Sequence, residues 1–221
     1  MTPLQTLDQI KKLTESLVKL SLSNEQNFPS THGSPNANFE ITVSTATDMS
    51  IALKNIEYKL IYAELEKARC FNIKMVDGAL ILLRYRFLAG KVCEHALSYF
   101  PSPYLEHFQN DPDNYLEDEL YSDILAKNIV PFPVRFDFSN DGNKYVDISH
   151  PYSHLTLGQY KNCRIPVCSP LGPLAFGGFI LRNFYNTIYT SYSDHIPISN
   201  KVFPKTISAN EKKIIHFVNG T

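Results

Sequence analysis

Apolar residues recur at spacings of three and four along the start of the chain, at Leu4, Leu7, Ile10, Leu13, Leu17 and Leu20. That spacing predicts an amphipathic helix. Thr2 stands where an N-cap is needed, Pro3 at the first helical position, and Gln5 completes a capping-box pattern. From Ser21 to Asn38 the pattern fades into Ser, Asn, Pro and Gly, which predicts a loop. "FEITV" (Phe39–Val43) alternates like a short strand. Helical spacing returns between Met49 and Cys70, carried by Ile56, Leu60, Ala63 and Lys67.

The pattern then changes to that of a sheet. "FNIKMV" runs into Asp77-Gly78, a strong hairpin signal. "ALILLRYRF", a second turn at "LAGK" and "VCEHALSYF" complete an antiparallel meander. Asp113–Asn128 has helical character, with acidic residues in its first half that suit the helix dipole. "PVRFDFS" and "YVDIS" read as strands around a turn at "NDGN". "ISHPYSHLTLGQYKNCRIPV" (Ile148–Val167) reads as a strand broken at Pro151 and a second, short strand. The segment opening at Pro173 is helical in pattern. Gly177 and Gly178 weaken it, unless they allow close packing. Ser208 and Glu211 form a second capping box, which predicts a final helix through "EKKIIHFV". The fold class expected is α+β: an antiparallel sheet of about five to six strands with flanking N- and C-terminal helices. Residues 1–38 are expected to form a helix and polar loop, and residues 39–221 one α+β domain with C-terminal helices.

Strand alternation also sorts the polar residues. Arg84 and Arg86 fall on one face of their strand, Arg135 and Asp137 on one face of theirs, and His154 shares a face with Thr156. Arg164 opposes Cys163 and Ile165. Four of the chain's six arginines lie in these short strands, whereas its lysines are scattered. Arginine supplies a planar fork for phosphate or carboxylate, and histidine a proton donor or acceptor near neutral pH. The reading that follows is a phosphodiester-handling face. His154, Asp137 and Arg164 are its candidate catalytic residues. Arg84, Arg86, Arg135 and Tyr99 are its candidate phosphate or nucleic-acid contacts. Tyr99 opens "YFPSPY", a Pro-stiffened aromatic stretch of the kind that stacks a base, or a plain structural turn. A metal site built from Asp137, His150 and His154 is the competing chemistry, and the neighbouring guanidinium groups oppose it. A solvated polar face on a one-sided antiparallel sheet is the competing structural account.

Composition narrows this a little. The hydrophobic fraction of 43% supports a substantial core, and the net charge of -1 gives no global pull toward nucleic acid or an anionic membrane. No apolar run is long enough to span a bilayer, the N-terminus lacks the pattern of a secretory signal, and none of the four cysteines forms a Cys-x-x-Cys pair. A cytoplasmic protein without membrane contact, cofactor or bound metal is expected.

"DGALILLRYRF", "YFPSP", "PFPVRFDF", "HPYSHLTLGQYKNCRIPV" and "FILRNFY" together resemble a bacterial family known as domain of unknown function 2290, across nearly the whole chain. The resemblance implies no particular activity. Pro133–Val167 also resembles small TumE-type toxins of toxin–antitoxin pairs, in which an Arg-Phe/Tyr-Asp strand precedes a histidine-bearing segment and an arginine before a short apolar strand. That likeness implies a toxin-like or anti-phage defence role and carries over Arg135, Asp137, His154 and Arg164. The partner it implies is a protein encoded nearby, an antitoxin, ATPase or nuclease, with RNA or DNA as the other candidate. The alternative is a non-catalytic binding or adaptor subunit of a defence complex.

Overall fold

The computed structural model describes residues 1–43, 56–104, 132–160 and 162–219. Its centre is one antiparallel sheet with helices against it, so the chain is α+β. The strands are β1 (Ser23–Gln26), β2 (Ser30–Gly33), β3 (Asn38–Thr42), β4 (Ile73–Met75), β5 (Leu80–Leu88), β6 (Lys91–Phe100), β7 (Val134–Ser139), β8 (Ser153–Leu157) and β9 (Ile165–Pro166). They join in the order β1-β4-β5-β6-β7-β8-β9. β4 and β3 share one edge of β5: β4 pairs with its start (Ile73↔Ile81) and β3 with its end (Phe39↔Phe87). Among the described residues the sheet has nine strands, more than the five to six or so expected. Two strands that the pattern did not predict are β1 and β2, whereas the expected short strand before Val167 is the two-residue β9. β1 and β2 lie in the stretch read as a loop, where residues too polar to signal a strand pair with β4 and β3.

The α-helices among the described residues are α1 (Pro3–Lys19), α2 (Tyr58–Lys67), α3 (Pro173–Phe184) and α4 (Asn186–Ser191). α1 starts as its sequence dictates: Thr2 Oγ1 accepts from the Gln5 N–H, and the Gln5 side chain accepts from the Thr2 N–H. Its buried stripe contains Ile10, Leu13 and Leu17 but also Thr6, Gln9 and Thr14, while Leu4 is exposed. The polar members are hydrogen-bonded: Thr6 and Thr14 donate to carbonyls one turn back, and Gln9 donates to Ser199. α2 begins later than the expected helix, with Ile56 and Glu57 outside it. The earlier part of that expectation, and the whole helix expected over Asp113–Asn128, lie outside the described residues.

Two expected elements near the C-terminal half take another form. "YVDIS" is a turn with a single Val146↔His150 bridge, and Ile148 has φ 67, which a strand does not tolerate. The second capping box forms, with Ser208 Oγ accepting from the Glu211 N–H and Glu211 Oε2 from the Ser208 N–H, but it starts only one 3-10 turn, Glu211–Lys213. The chain then extends. Phe217 pairs beside Val167 and packs its ring at 5.5 Å from Phe136 and 5.6 Å from Phe179. Burial of that ring against the sheet outweighs the few tenths of a kcal/mol per residue, roughly, that helix propensity offers a short exposed segment.

Alternation gives the sheet two unlike sides. One side carries Ile81, Leu83, Tyr85, Phe87, Leu97, Tyr99, Val134, Phe136 and Leu155, packed with α1 and α3 into the main core. The other side is covered at the start of β5, where Leu80 and Leu82 meet Ile61, Tyr62 and Leu65 of α2 together with Phe71 and Phe100. This two-sided burial explains why the "ALILL" run is continuously apolar and alternates only from Arg84 onward. Among the described residues no helix is long and apolar enough to cross a membrane.

α1 and α3 meet where Gly177 faces Leu13: a Cβ added at Gly177 would lie 2.4 Å from Leu13 Cδ1, whereas one added at Gly178 would meet nothing within 4 Å. The two adjacent glycines should therefore respond oppositely. Gly177→Val is expected to lower the unfolding free energy by about 1–3 kcal/mol through overpacking. Gly178→Ala should raise it by up to about 1 kcal/mol through helix propensity. Urea unfolding of the two variants is the measurement, and equal effects would contradict this packing.

Candidate functional site

The register of β5 to β9 decides which polar side chains meet. Arg84 pairs with Ala96, Ala96 with Asp137, Asp137 with His154, and His154 with Pro166. Two residues along, Ser98 pairs with Arg135 and Arg135 with Thr156. Arg86 pairs with Glu94 and with Glu40. Arg84, Arg86, Arg135, Asp137 and His154 therefore project from the same face, opposite the main core. Arg164 immediately precedes β9, and its charge acts on Asp137, His150 and His154.

The face divides into two groups. Arg84 is held by Glu40 at 2.9 Å, and Arg86 by Glu94 at 2.7 Å. These pairs are half exposed, so each is worth little and each carboxylate offsets its arginine. Two strand spacings away, about 10 Å, lies the second group of Arg135, Asp137, His150, His154 and Arg164. Small side chains, Ala96 and Ser98, lie between the groups. In the second group Arg135 Nη2 is 3.9 Å from Asp137 Oδ2, and His154 Nε2 is 4.0 Å from the same oxygen. Arg135 Nε is buried with no hydrogen-bond partner. Arg164 has no carboxylate within ion-pair distance among the described residues.

His154 is the deepest of these groups, at 7% exposure. Its Nδ1 lies 3.0 Å from the Pro151 carbonyl, which only accepts, so Nδ1 carries the proton and Nε2 presents a lone pair toward Asp137. Burial pulls its pKa down to about 4, and the charges of His150, Arg164 and Arg135 act in the same direction. The imidazole is neutral at pH 7. Burial raises the Asp137 carboxyl above the usual range, against the opposing pull of Arg135 and Arg164. His150 is lowered by burial and by Arg164, and its ring stands 5.2 Å from that of His154. This cluster is an acceptor-bearing neutral histidine beside a carboxyl group raised by burial and two cations. The guanidinium groups can donate to a phosphate, and the His154 acceptor can exchange a proton with Asp137. Among the described residues no three His, Cys, Asp or Glu side chains are gathered as metal ligands.

Tyr99 does not join this face. It pairs with Ile81 and Val134 on the core side, is 3% exposed, and its hydroxyl lies 3.2 Å from that of Tyr185. The expectation of a base-stacking ring is corrected by strand parity: a residue in register with Leu97 must point into the core. Tyr185 in turn donates to buried Asp77 at 2.8 Å, tying the end of α3 to the β4–β5 turn. His95, which sequence reasoning passed over, is a satisfied core histidine. Its Nε2 accepts from the Leu171 N–H at 3.0 Å, its Nδ1 faces the Phe136 carbonyl, and burial drops its pKa to about 3. Its place in alternation with Leu97 and Tyr99 was the available signal.

The profile of the family described as uncharacterized conserved protein (DUF2290) matches residues 22–219, and the chain belongs to this family. No curated protein and no solved structure matches it. The match begins after α1, although Ile10, Leu13 and Leu17 of α1 lie in the same core as the sheet.

The buried neutral state of His154 sets a pH dependence. The unfolded chain takes up a proton on this ring near pH 6.5, and the folded protein only near 4. Between those values the unfolded state holds more protons. The contribution is full above pH 6.5 and is lost as pH falls, at up to about 1.4 kcal/mol per pH unit. His154→Asn can still donate to the Pro151 carbonyl but does not titrate. Denaturant unfolding from pH 7 to pH 4 should show a shallower loss of stability in that variant. An identical slope would show that His154 is not held neutral.

Proposed function

We propose that the sheet face bearing Arg84, Arg86, Arg135 and Arg164 binds the phosphates of a nucleic acid. The placement of Arg84 and Arg86 of β5 and Arg135 of β7 on one face, with Arg164 just ahead of β9 and its charge acting on Asp137 and His154, is the observation that carries the reading. Arg164, without a carboxylate partner among the described residues, is the primary grip. Arg135, with its unpartnered Nε, is the second. Arg84 and Arg86 extend the track and exchange Glu40 and Glu94 for phosphate on binding. Binding is favoured over cleavage because a ring with pKa about 4 is a weak base at neutral pH. The protein is then a binding component of a toxin-like or anti-phage defence system, working with a protein encoded nearby. That biological setting rests on the likeness of Pro133–Val167 to TumE-type toxins.

Metal-independent phosphodiester cleavage is the second reading, favoured by one observation: His154 Nε2 and Asp137 Oδ2, both with displaced pKa, face each other at 4.0 Å. In that reading His154, Asp137 and Arg164 carry the chemistry.

Fluorescence anisotropy with single-stranded RNA and DNA, titrated over a range of salt, separates these. Arg164→Ala should weaken binding and reduce the slope of log K against log salt by about 1, as expected for one lost phosphate contact. Arg135→Lys should also weaken it despite the conserved charge, because the guanidinium fork is lost. His154→Asn should leave affinity within about twofold under the binding reading, while abolishing any strand cleavage under the second. Wild-type affinity and salt slope in both arginine variants would overturn the phosphate-binding face.

A further inference from the structure

A cleft of about 470 Å³ lies on the opposite side of the sheet from the arginine face. Its floor is the outer stripe of α3, at Ala175, Gly178, Phe179, Arg182 and Asn183. This i, i+3, i+4, i+7, i+8 spacing normally belongs to an exposed helix face. Here that face is walled in. One wall is the Ser199–Val202 loop, which Gln9 of α1 holds by donating to Ser199 Oγ at 2.8 Å. The other is the C-terminal tail. Phe217 and Cys168 hydrogen-bond there, and Asn219 receives a bond from Ser169 Oγ at 3.1 Å while donating to the Ser169 carbonyl. The extended tail, found where a final helix is expected, therefore lines one side of the cleft through Phe217 and Asn219.

The lining has a consistent chemistry. It includes no Asp or Glu. Arg182 and Lys201 both line it, and neither has a carboxylate within ion-pair distance among the described residues. Phe179, Tyr189 and Phe217 supply aromatic surface. Gly178 leaves the floor without a side chain, since a Cβ there would meet nothing within 4 Å. The volume falls in the range of small-ligand sites, roughly 300–1,000 Å³. Two uncompensated cations match the double charge of a phosphate monoester better than a single carboxylate, and aromatic walls match a planar body.

We propose that this cleft is a binding site for a small phosphate monoester with a planar aromatic body, the nucleoside monophosphate class. Arg182 and Lys201 hold the phosphate, and the planar body lies over Gly178 between the aromatic walls. The site stands apart from the arginine face and does not rest on the function proposed for it.

Isothermal titration of the full chain with AMP tests this, with adenosine as the uncharged control. AMP should bind saturably in the sub-millimolar range, and adenosine at least tenfold more weakly. Gly178→Leu fills the floor from a position with open space, so thermal stability should hold while AMP affinity falls at least tenfold. The double variant Arg182→Ala/Lys201→Ala should lose affinity similarly with the cleft left open. Arg164→Ala should leave AMP binding unchanged, which separates this site from the arginine face. Absence of saturable AMP binding, equal binding of adenosine, or wild-type affinity in either cleft variant would overturn the proposal.

Discussion

Both backbone polar groups of one residue, Leu171, are held by a cross-strand pair on the two central strands. His95 Nε2 accepts its N–H at 3.0 Å, and the Tyr85 hydroxyl donates to its carbonyl at 2.8 Å. Tyr85 and His95 are direct partners in the β5–β6 register, and Leu171 lies just ahead of Gly172, the N-cap of α3. This buried contact fixes where α3 begins, and α3 in turn receives α1 through Gly177. A buried donor or acceptor left unmatched costs about 1–3 kcal/mol. Displacing α3 would strand several such groups at once.

The same contact commits one side of the sheet to the core, and parity then assigns the other. With Tyr85, His95, Leu97 and Phe136 inward, Arg84, Arg86, Asp137 and Arg135 must project oppositely. A one-residue slip would bury four charges and expose the aromatic core. The polar face is therefore as strongly specified as the apolar one, although it makes few contacts of its own.

Two histidines on opposite sides of this sheet are both neutral for the same reason, loss of water around the ring. Their partners separate them. His95 has both nitrogens occupied by backbone groups, which leaves it no further chemistry. His154 has one nitrogen on a carbonyl and the other turned toward a carboxylate 4.0 Å away, among arginines. Burial alone therefore does not distinguish the two; the acceptor nitrogen turned toward a carboxylate does.

Local pattern was enough for the elements whose stability is local. The Thr2–Gln5 box, the turn at Ala89-Gly90 with both φ positive, the strands around Arg84 and Arg135, and membership of the α+β class were all legible, because capping, turn geometry and period-two alternation act within a few residues. The candidate face was legible to the same extent: which residues share a side of each strand, but not how the strands lie together. Register placed Arg84 and Arg86 about two strands from Asp137 and supplied each with its own glutamate; no spacing along the chain contains that information. It also turned Tyr99 inward. β1, β2 and the extended tail at Phe217 exist because a preformed edge or an aromatic pocket was there to receive them. The sequences of β1 and β2 carry too little apolar surface to signal it, and the apolar tail reads locally as a helix. The sequence by itself determined the periodicities and the class; tertiary pairing decided the register, the partners of each charge and the cleft behind α3, because those depend on contacts between segments that local propensity does not see.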